Sequence, residues 1–216
     1  MNKSFYSLGL MSGTSGDGVD ASVVISDGMN KFDIIHEEYE EYSSDIYKEF
    51  HDLKEKVIHP KDLVKNEKKI VDLERKITFF NAKEIEKIKD KIEKKGQQIH
   101  LIGFHGQTLL HSPEEKISIQ LGDGKLLSQI TKIKVVFDFR SNDLKNGGQG
   151  APLSPIFHQL LVKQKKIKIP ITILNLGGIA NATFINKDGN ISSLDIGPGN
   201  CLIDTWIRLN SDQYYD

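Results

Sequence analysis

Apolar and polar residues alternate in short runs over the first quarter of the chain. Two apolar segments, residues 4–11 and 19–25, flank a polar, glycine-rich connection, and this pattern predicts a β-hairpin. A third strand is expected over 32–42, and a short helix over 48–57. The opening of the chain therefore predicts a small antiparallel sheet followed by a helix.

From Pro60 to Lys95 the apolar residues recur mostly at helical spacing. Pro60 suits a helix start and Gly96 suits a helix end. A single helix would be about 50 Å long, so we expect a break near residues 78–81. Positive and negative charges are interleaved along the segment, which favours a solvated face over a nucleic-acid or membrane site.

After Gly96 short strands are expected to alternate with helices. The predicted strands cover 100–104, 116–121, 134–139, 169–176, 182–186 and 192–196. The predicted helices cover 125–131, 154–163 and 200–210. This alternation predicts an α/β fold with helices flanking the sheet, in which ligands bind where strands end.

Composition narrows the class of protein. The 216 residues carry 29 Lys and Arg against 30 Asp and Glu, with 38% hydrophobic residues. That balance is typical of a globular protein and argues against nucleic acid as the default partner. No apolar run approaches the ~20 residues that span a bilayer, and no signal peptide is recognised. Cys201 is the single cysteine, so a cytoplasmic protein without an intrachain disulfide or a membrane partner is expected.

Two strand–turn–strand segments, residues 8–14 and 173–181, are weakly similar to each other. Such a weak internal repeat suggests two lobes of similar structure that face one cleft. The first lobe is expected to cover 1–169 and the beginning of the second 170–216. Residues 170–216 are too few to build a stable hydrophobic core by themselves, so we expect the sequence to stop inside its second domain.

The first glycine-rich connection has the composition of a phosphate-binding loop. Gly13, Gly16 and Gly18 permit positive φ, which lets amide groups point at an anion, and serine and threonine hydroxyls lie between them. Asp17 and Asp20 are candidates to hold a hydrated Mg²⁺. The loop is neither a Walker loop nor a dinucleotide fingerprint. A plain tight hairpin is the alternative, and the second hairpin at 175–178 favours the phosphate interpretation.

His105 and Gln107 follow a predicted strand and offer donors and acceptors suited to a sugar. Alternatively, His105 binds a loop carbonyl, and a metal site with His111 is weaker because no third ligand has the right spacing. Asp123 is interpreted as a helix N-cap rather than as a hydroxyl-binding acid.

Asp138 interrupts an otherwise apolar predicted strand. A buried carboxylate there needs a partner, and Arg140 and Asp143 are nearby candidates. The alternatives are a buried Asp–Arg pair and a general base at the end of the strand. The glycine-rich turn at 147–150, which includes Gln149, would let the backbone approach a ligand closely.

The segment at 195–200 ends a predicted strand and opens a helix, with Asn200 as its N-cap. That helix N-terminus either faces an anion or is only a connection. Cys201 is expected to pack rather than to react, because no histidine is placed locally to activate it.

Together these segments resemble the anhydro-N-acetylmuramic acid kinases. The matching runs occur in family order: 9–20 (GLMSGTSGDGVD), 105–108 (HGQT), 138–140 (DFR) with Asp143, 147–152 (GGQGAP), 175–181 (NLGGIAN) and 195–200 (DIGPGN). The resemblance implies a two-lobed ATPase fold of the actin, hexokinase and Hsp70 type, with a ribonuclease H-like first lobe. It also implies an ATP- and Mg²⁺-dependent reaction of peptidoglycan recycling, in which water opens the 1,6-anhydro bond and O6 is phosphorylated.

The resemblance also implies roles for particular residues. ATP phosphates would bind Gly13, Thr14, Ser15, Gly16, Asp17, Gly18, Val19 and Asp20, and a second phosphate hairpin would comprise Asn175, Gly177 and Gly178. Asp138 would be the base that activates water, with Asp143 as the second choice. The sugar pocket would contain His105, Gln107, Arg140 and Gln149.

Members of the family run well beyond residue 216, so we expect this chain to be a fragment that binds ATP poorly by itself. The competing hypothesis is a nucleotide-binding switch or scaffold of the same fold without sugar chemistry. A homodimer is left open for the full-length protein.

Overall fold

A computed structural model describes residues 4–211 of the chain. Its contacts divide into two compact units, one up to Gly150 and the other from Ala151 onward. The predicted lobes, 1–169 and 170–216, concern a longer two-lobed protein and stay a prediction. In chain order the elements are β1 (Phe5–Met11), β2 (Gly18–Ser26), β3 (Phe32–Glu41), α1 (Ser44–Lys54), α2 (Pro60–Glu93), β4 (Leu101–Phe104), β5 (Gln107–Ser112), β6 (Ile117–Leu121), α3 (Gly124–Thr131), β7 (Lys134–Phe137), α4 (Ser141–Lys145), α5 (Pro155–Gln164), β8 (Ile171–Leu176), β9 (Ile179–Ile185), β10 (Ile191–Pro198) and α6 (Cys201–Asn210).

The first unit is built on a five-stranded mixed sheet in the order β3-β2-β1-β4-β7. The first three strands form the predicted antiparallel meander. Strands β1, β4 and β7 are neighbours and run parallel, with Leu10 opposite Phe104 and Phe104 opposite Phe137. Strands β5 and β6 form a separate hairpin. The predicted α/β class is therefore confirmed.

Alternate residues of β1 and β2 face a core that α1 and α2 cover. Leu8 and Val23 are fully buried there, together with Phe50 of α1 and the apolar face of α2. Helix α2 buries Leu73, Ile77, Ile85, Ile88 and Ile92 at the spacing that the sequence predicted.

The predicted break in α2 is wrong, because the helix runs unbroken from Pro60 to Glu93. Thr78 and Asn81, two of the residues at the expected break, are buried, and each donates a hydrogen bond to the backbone of its own helix. Thr78 Oγ1 donates to Glu74 O (2.7 Å) and Asn81 Nδ2 donates to Ile77 O (2.8 Å). The Thr78 hydroxyl also accepts from the Asp123 amide (2.9 Å), so it joins α2 to the loop before α3.

Two short elements, β5 and α4, were not predicted, and the strand expected over 134–139 ends at Phe137. It ends there because Asp138 has a positive φ of 56°, which no strand residue adopts.

The second unit opens with helix α5, followed by an antiparallel sheet in the order β10-β9-β8. The β3-β2-β1 meander of the first unit has the same strand order, and its strands are also antiparallel. The weak internal repeat in the sequence suggested such a similarity. Its buried apolar residues are Val162, Ala180, Ala182 and Ile185. Among residues 4–211, no helix is both long enough and apolar enough to cross a membrane.

Candidate functional site

Three of the segments singled out in the sequence lie at one edge of the first unit's sheet. Because β1, β4 and β7 are parallel neighbours, their carboxyl ends share that edge. The glycine-rich loop 12–18 follows β1, His105 follows β4, and Asp138 follows β7. The fold therefore collects three segments that are far apart in the chain.

The loop at 12–18 is held by its carbonyl groups. Donors from other parts of the unit bind four of its carbonyl oxygens: Gln107 Nε2 to Gly13 O (2.8 Å), Lys54 Nζ to Thr14 O (2.7 Å), His51 Nε2 to Ser15 O (2.9 Å) and Tyr42 N to Asp17 O (2.8 Å). These four carbonyl oxygens are therefore directed to donors of the protein rather than to a ligand.

The backbone amides of the same loop, unlike its carbonyl oxygens, are largely without hydrogen-bond partners in the described residues. Within residues 4–211, no hydrogen bond is donated by the backbone amides of Gly13, Thr14, Ser15 or Asp17. The Ser15 hydroxyl donates to Asp17 Oδ1 (2.8 Å). Successive amides left open beside carbonyls that are bound make a concavity suited to an anion.

Ser12 and Tyr42 fix the loop at its start. Both are buried, and their hydroxyl oxygens are 2.8 Å apart. Burial raises the pKa of Tyr42 to about 12, so this phenol keeps its proton. Tyr42 therefore binds the loop twice, through its hydroxyl at Ser12 and through its amide at Asp17.

Asp17 and Asp20, the candidate Mg²⁺ residues, are close enough to interact. Burial raises the pKa of Asp20, and the negative charge of Asp17 raises it further. Among the described residues there is no group of three His, Cys, Asp or Glu that could hold a metal directly. Two neighbouring carboxylates beside a hydroxyl nevertheless fit a cation that keeps most of its water, as Mg²⁺ does.

Asp138 is exposed rather than buried, and the Arg140 side chain bonds to His105 and Gly150, so the structure does not form the buried Asp–Arg pair that was one of the two alternatives. In the described part of the chain its carboxylate has one long hydrogen bond, accepted from Ser141 N (3.4 Å). Its left-handed backbone, with φ of 56°, is uncommon for a residue other than glycine and is often retained at functional sites.

Asp143 is held inside the turn that follows it. Its Oδ2 accepts from Gly150 N (2.7 Å), and its backbone oxygen accepts from Gly148 N (2.9 Å). A Cβ on Gly148 would overlap the Asp143 carboxylate. The glycine at that position therefore permits the carboxylate to close the turn.

His105 and Arg140 form a bonded pair. Arg140 donates through Nε (3.2 Å) and Nη2 (2.8 Å) to His105 Nε2, and through Nη1 to Gly150 O (2.7 Å). The other ring nitrogen, Nδ1, lies 2.7 Å from Gly106 O and donates to it. His105 thus binds a loop carbonyl, which is one of the alternatives that the sequence left open for it. The side chain of Gln107 is fully buried against the loop, whereas Gln149 is exposed.

The environment of His105 predicts an acid-sensitive stability. Burial, followed by the charge of Arg140, lowers the pKa of His105 to about 4. The unfolded chain binds this proton near pH 6.5, so stability is present above pH 6.5 and falls as the pH drops toward 4. We expect a loss on the order of 2–3 kcal/mol between pH 6.5 and 4. Urea denaturation should show a weaker pH dependence for His105→Asn, and an identical dependence would contradict the assignment.

The second hairpin, in the other unit, is held in a similar way. Gly177 O accepts from Asn200 N (2.8 Å), and Gly178 O accepts from Gly199 N (3.0 Å). The hairpin carbonyls therefore bind the amides of the two residues just before α6, which ties the start of that helix to the hairpin. Asn200 occupies the N-cap position but its side chain does not cap α6; it donates to Leu176 O (3.2 Å) instead.

Asp123 confirms its predicted role, since its Oδ1 accepts from Lys125 N (2.9 Å) and Leu126 N (3.0 Å) at the start of α3. His111, the weaker metal candidate, lies 3.0 Å from the Ser118 hydroxyl.

Sequence reasoning missed the residues that bind the first loop from α1 and from the position just after β3. Tyr42, His51 and Lys54 stand 25 to 40 residues away from the loop residues that they bind, and nothing in their spacing links them to the loop. The signal that could have indicated a contact between the loop and α1 was Gly16, because its lack of a side chain leaves room for Phe50 of α1.

Comparison with known proteins identifies relatives over almost the whole chain. The family model described as anhydro-N-acetylmuramic acid kinase matches residues 5–216. A curated protein of that name from Pelagibacter ubique is 50% identical over 100% of this chain and 57% of its own length. Proteins of the same name from Brucella suis and Rhizobium johnstonii are each 37% identical over 97% of the chain. The chain therefore spans little more than half the length of the curated relatives it matches.

Proposed function

The chain belongs to the anhydro-N-acetylmuramic acid kinase family, and from that premise we propose that the complete gene product phosphorylates 1,6-anhydro-N-acetylmuramic acid with ATP. The product is N-acetylmuramate 6-phosphate, and the proposed setting is cytoplasmic peptidoglycan recycling. The observation that carries the proposal is the shared sheet edge, which brings an amide-lined loop and a free carboxylate to the ends of neighbouring parallel strands. A mixed sheet flanked by helices is consistent with the actin-like ATPase fold of such a kinase.

In this proposal the loop at 12–20 binds phosphate oxygens of ATP. The open amides of Thr14 and Ser15 donate to those oxygens, and the bound carbonyls keep the loop from rearranging. Phosphoryl transfer depends mainly on positioning and charge neutralisation. Asp17 and Asp20 would hold a hydrated Mg²⁺, which would supply charge neutralisation at the phosphates. Asn175, Gly177 and Gly178 form a second phosphate-binding turn.

Asp138 is the general base. Its exposed carboxylate takes a proton from water, whose oxygen attacks the anomeric carbon C1. The bond from C1 to the bridging oxygen breaks, and that oxygen, now O6, attacks the γ-phosphorus and displaces ADP. Asp143 is the weaker candidate because its carboxylate already closes the turn at Gly150. His105, Gln107, Arg140 and Gln149 belong to the sugar side of the site, with Gln107 acting from behind the loop through Gly13 O.

The test is ATP consumption by the complete gene product with and without the anhydro sugar. We expect ADP formation that depends on the sugar and a sugar phosphomonoester visible by ³¹P NMR. ATP binding without sugar-dependent turnover would contradict the proposal and favour a nucleotide-binding switch or scaffold.

A further inference from the structure

Arg140 carries a charge that the described part of the chain does not neutralise. Its hydrogen bonds go to an imidazole nitrogen of His105 and to the carbonyl of Gly150, both of which are neutral acceptors. No carboxylate within residues 4–211 forms an ion pair with it. The side chain is half-buried, and an uncompensated charge in such a place is costly unless an anion accompanies it.

The bonding pattern also leaves Arg140 with a pair of unused donors. A guanidinium has five N–H groups, and the contacts to His105 and Gly150 use one each from Nε, Nη1 and Nη2. One N–H therefore remains on Nη1 and one on Nη2. Two donors on the terminal nitrogens of one planar group match the two oxygens of a carboxylate.

His105 fixes the direction of those donors. Its Nδ1–H is committed to Gly106 O, so Nε2 carries the lone pair that accepts both Nε–H and Nη2–H of Arg140. Proximity to the Arg140 charge and burial both disfavour protonation of this ring, so the acceptor persists at neutral pH. The guanidinium is thereby held by His105 and by Gly150, and two of its N–H groups, one on Nη1 and one on Nη2, stay available to a ligand.

We infer that Arg140 binds a carboxylate of the ligand and that His105 is the residue that positions it. The inference rests on the proposed function, in which the ligand is a muramic acid derivative. Such a sugar differs from the corresponding glucosamine by a lactyl ether that ends in a carboxylate. Arg140 follows the same strand as Asp138, the proposed base for the sugar, whereas the loop proposed for ATP phosphates follows β1. Arg140 therefore selects the muramic sugar over its glucosamine analogue.

The test compares two probes by calorimetry with the complete gene product: 1,6-anhydro-N-acetylmuramic acid and 1,6-anhydro-N-acetylglucosamine, which lacks the lactyl group. We expect Arg140→Met to weaken binding of the muramic sugar by about 10- to 100-fold, the range for a charge-assisted hydrogen-bonded pair. Binding of the glucosamine sugar should change by less than about 3-fold, so that the preference disappears. ATP binding, measured separately, should also change by less than about 3-fold.

His105→Gln tests the positioning role. It should raise KM for the muramic sugar about 3- to 10-fold with little change in kcat, because the base and the phosphate loop are untouched. Arg140→Lys should not restore the preference, since an ammonium group lacks the planar pair of donors.

Equal losses for the two sugars in Arg140→Met, or a wild-type protein that does not distinguish or does not bind them, would overturn the inference. A loss confined to ATP affinity would assign Arg140 to phosphate and overturn it as well. The proposed function fails separately: sugar binding that depends on Arg140 without phosphorylation would leave the inference standing and remove the kinase reaction.

Discussion

Asp138→Asn is expected to lower sugar-dependent ATP consumption by about 10²- to 10⁴-fold, the range that a general base contributes. The amide has almost the same shape as the carboxylate but cannot accept the proton of the attacking water. The Asp138 side chain is exposed and has one long contact, with Ser141 N, so the exchange should leave the fold intact. ATP affinity, which depends on the loop after β1, should change by less than about 2-fold.

Asp143→Asn is the matched control for Asp138→Asn. The new amide oxygen still accepts from Gly150 N, so the turn that Asp143 closes should persist. We expect less than about a 5-fold change in turnover. If the control loses activity and Asp138→Asn keeps it, the base is Asp143. If Asp138→Asn loses turnover and ATP affinity together, Asp138 has a structural role instead.

Gly16→Ala is expected to lower the free energy of unfolding by roughly 2–4 kcal/mol, through two separate costs. Gly16 has a φ of 67°, which an alanine adopts only with strain. A Cβ there would also overlap the ring of Phe50, which is fully buried in the core beneath the loop. Because the loop cannot move without disturbing the core, the variant should also lose ATP affinity in the complete gene product. Urea denaturation of the 216-residue chain measures the first effect.

Gly28→Ala separates the two costs of Gly16→Ala. Gly28 has a similar φ of 75°, but no atom lies within 4 Å of the position a Cβ would take. This control should therefore lose only about 1 kcal/mol. Adding Phe50→Leu to Gly16→Ala should recover part of the steric loss. Equal destabilisation of the Gly16 and Gly28 variants would show that the Phe50 contact does not constrain the loop.

The elements with a clear period were predicted well. Helix α2 and the β1–β3 meander follow from apolar residues that recur every three to four positions or alternate. The strand ends that carry the loop at 12–18, His105 and Asp138 were also located, because glycine and polar residues interrupt the apolar runs there. The break in α2 was wrong because Thr78 and Asn81 bond within their own helix, which a pattern of polar positions does not reveal.

At the candidate site, too, the sequence located the residues but did not reveal which groups they bind. The sequence indicated that Asp138 and Arg140 were important and offered a buried pair between them as one alternative, since neighbours in sequence are the natural partners to consider. Instead, the positive φ at Asp138 ends the strand, and Arg140 bonds to His105 at the end of a different strand.

By itself the sequence determined most of the helices and strands, though not β5, α4 or the unbroken course of α2, and its motifs determined the family. Only the tertiary structure decided which groups meet, because the pairing of β1 with β4 and of β4 with β7 is set by sheet topology rather than by distance along the chain. That pairing turned three separate motifs into one edge, while donors from Tyr42, His51, Lys54 and Gln107 bound the carbonyls of the loop at 12–18. Local preference is encoded residue by residue, whereas the partner of each polar group depends on packing that involves the whole unit.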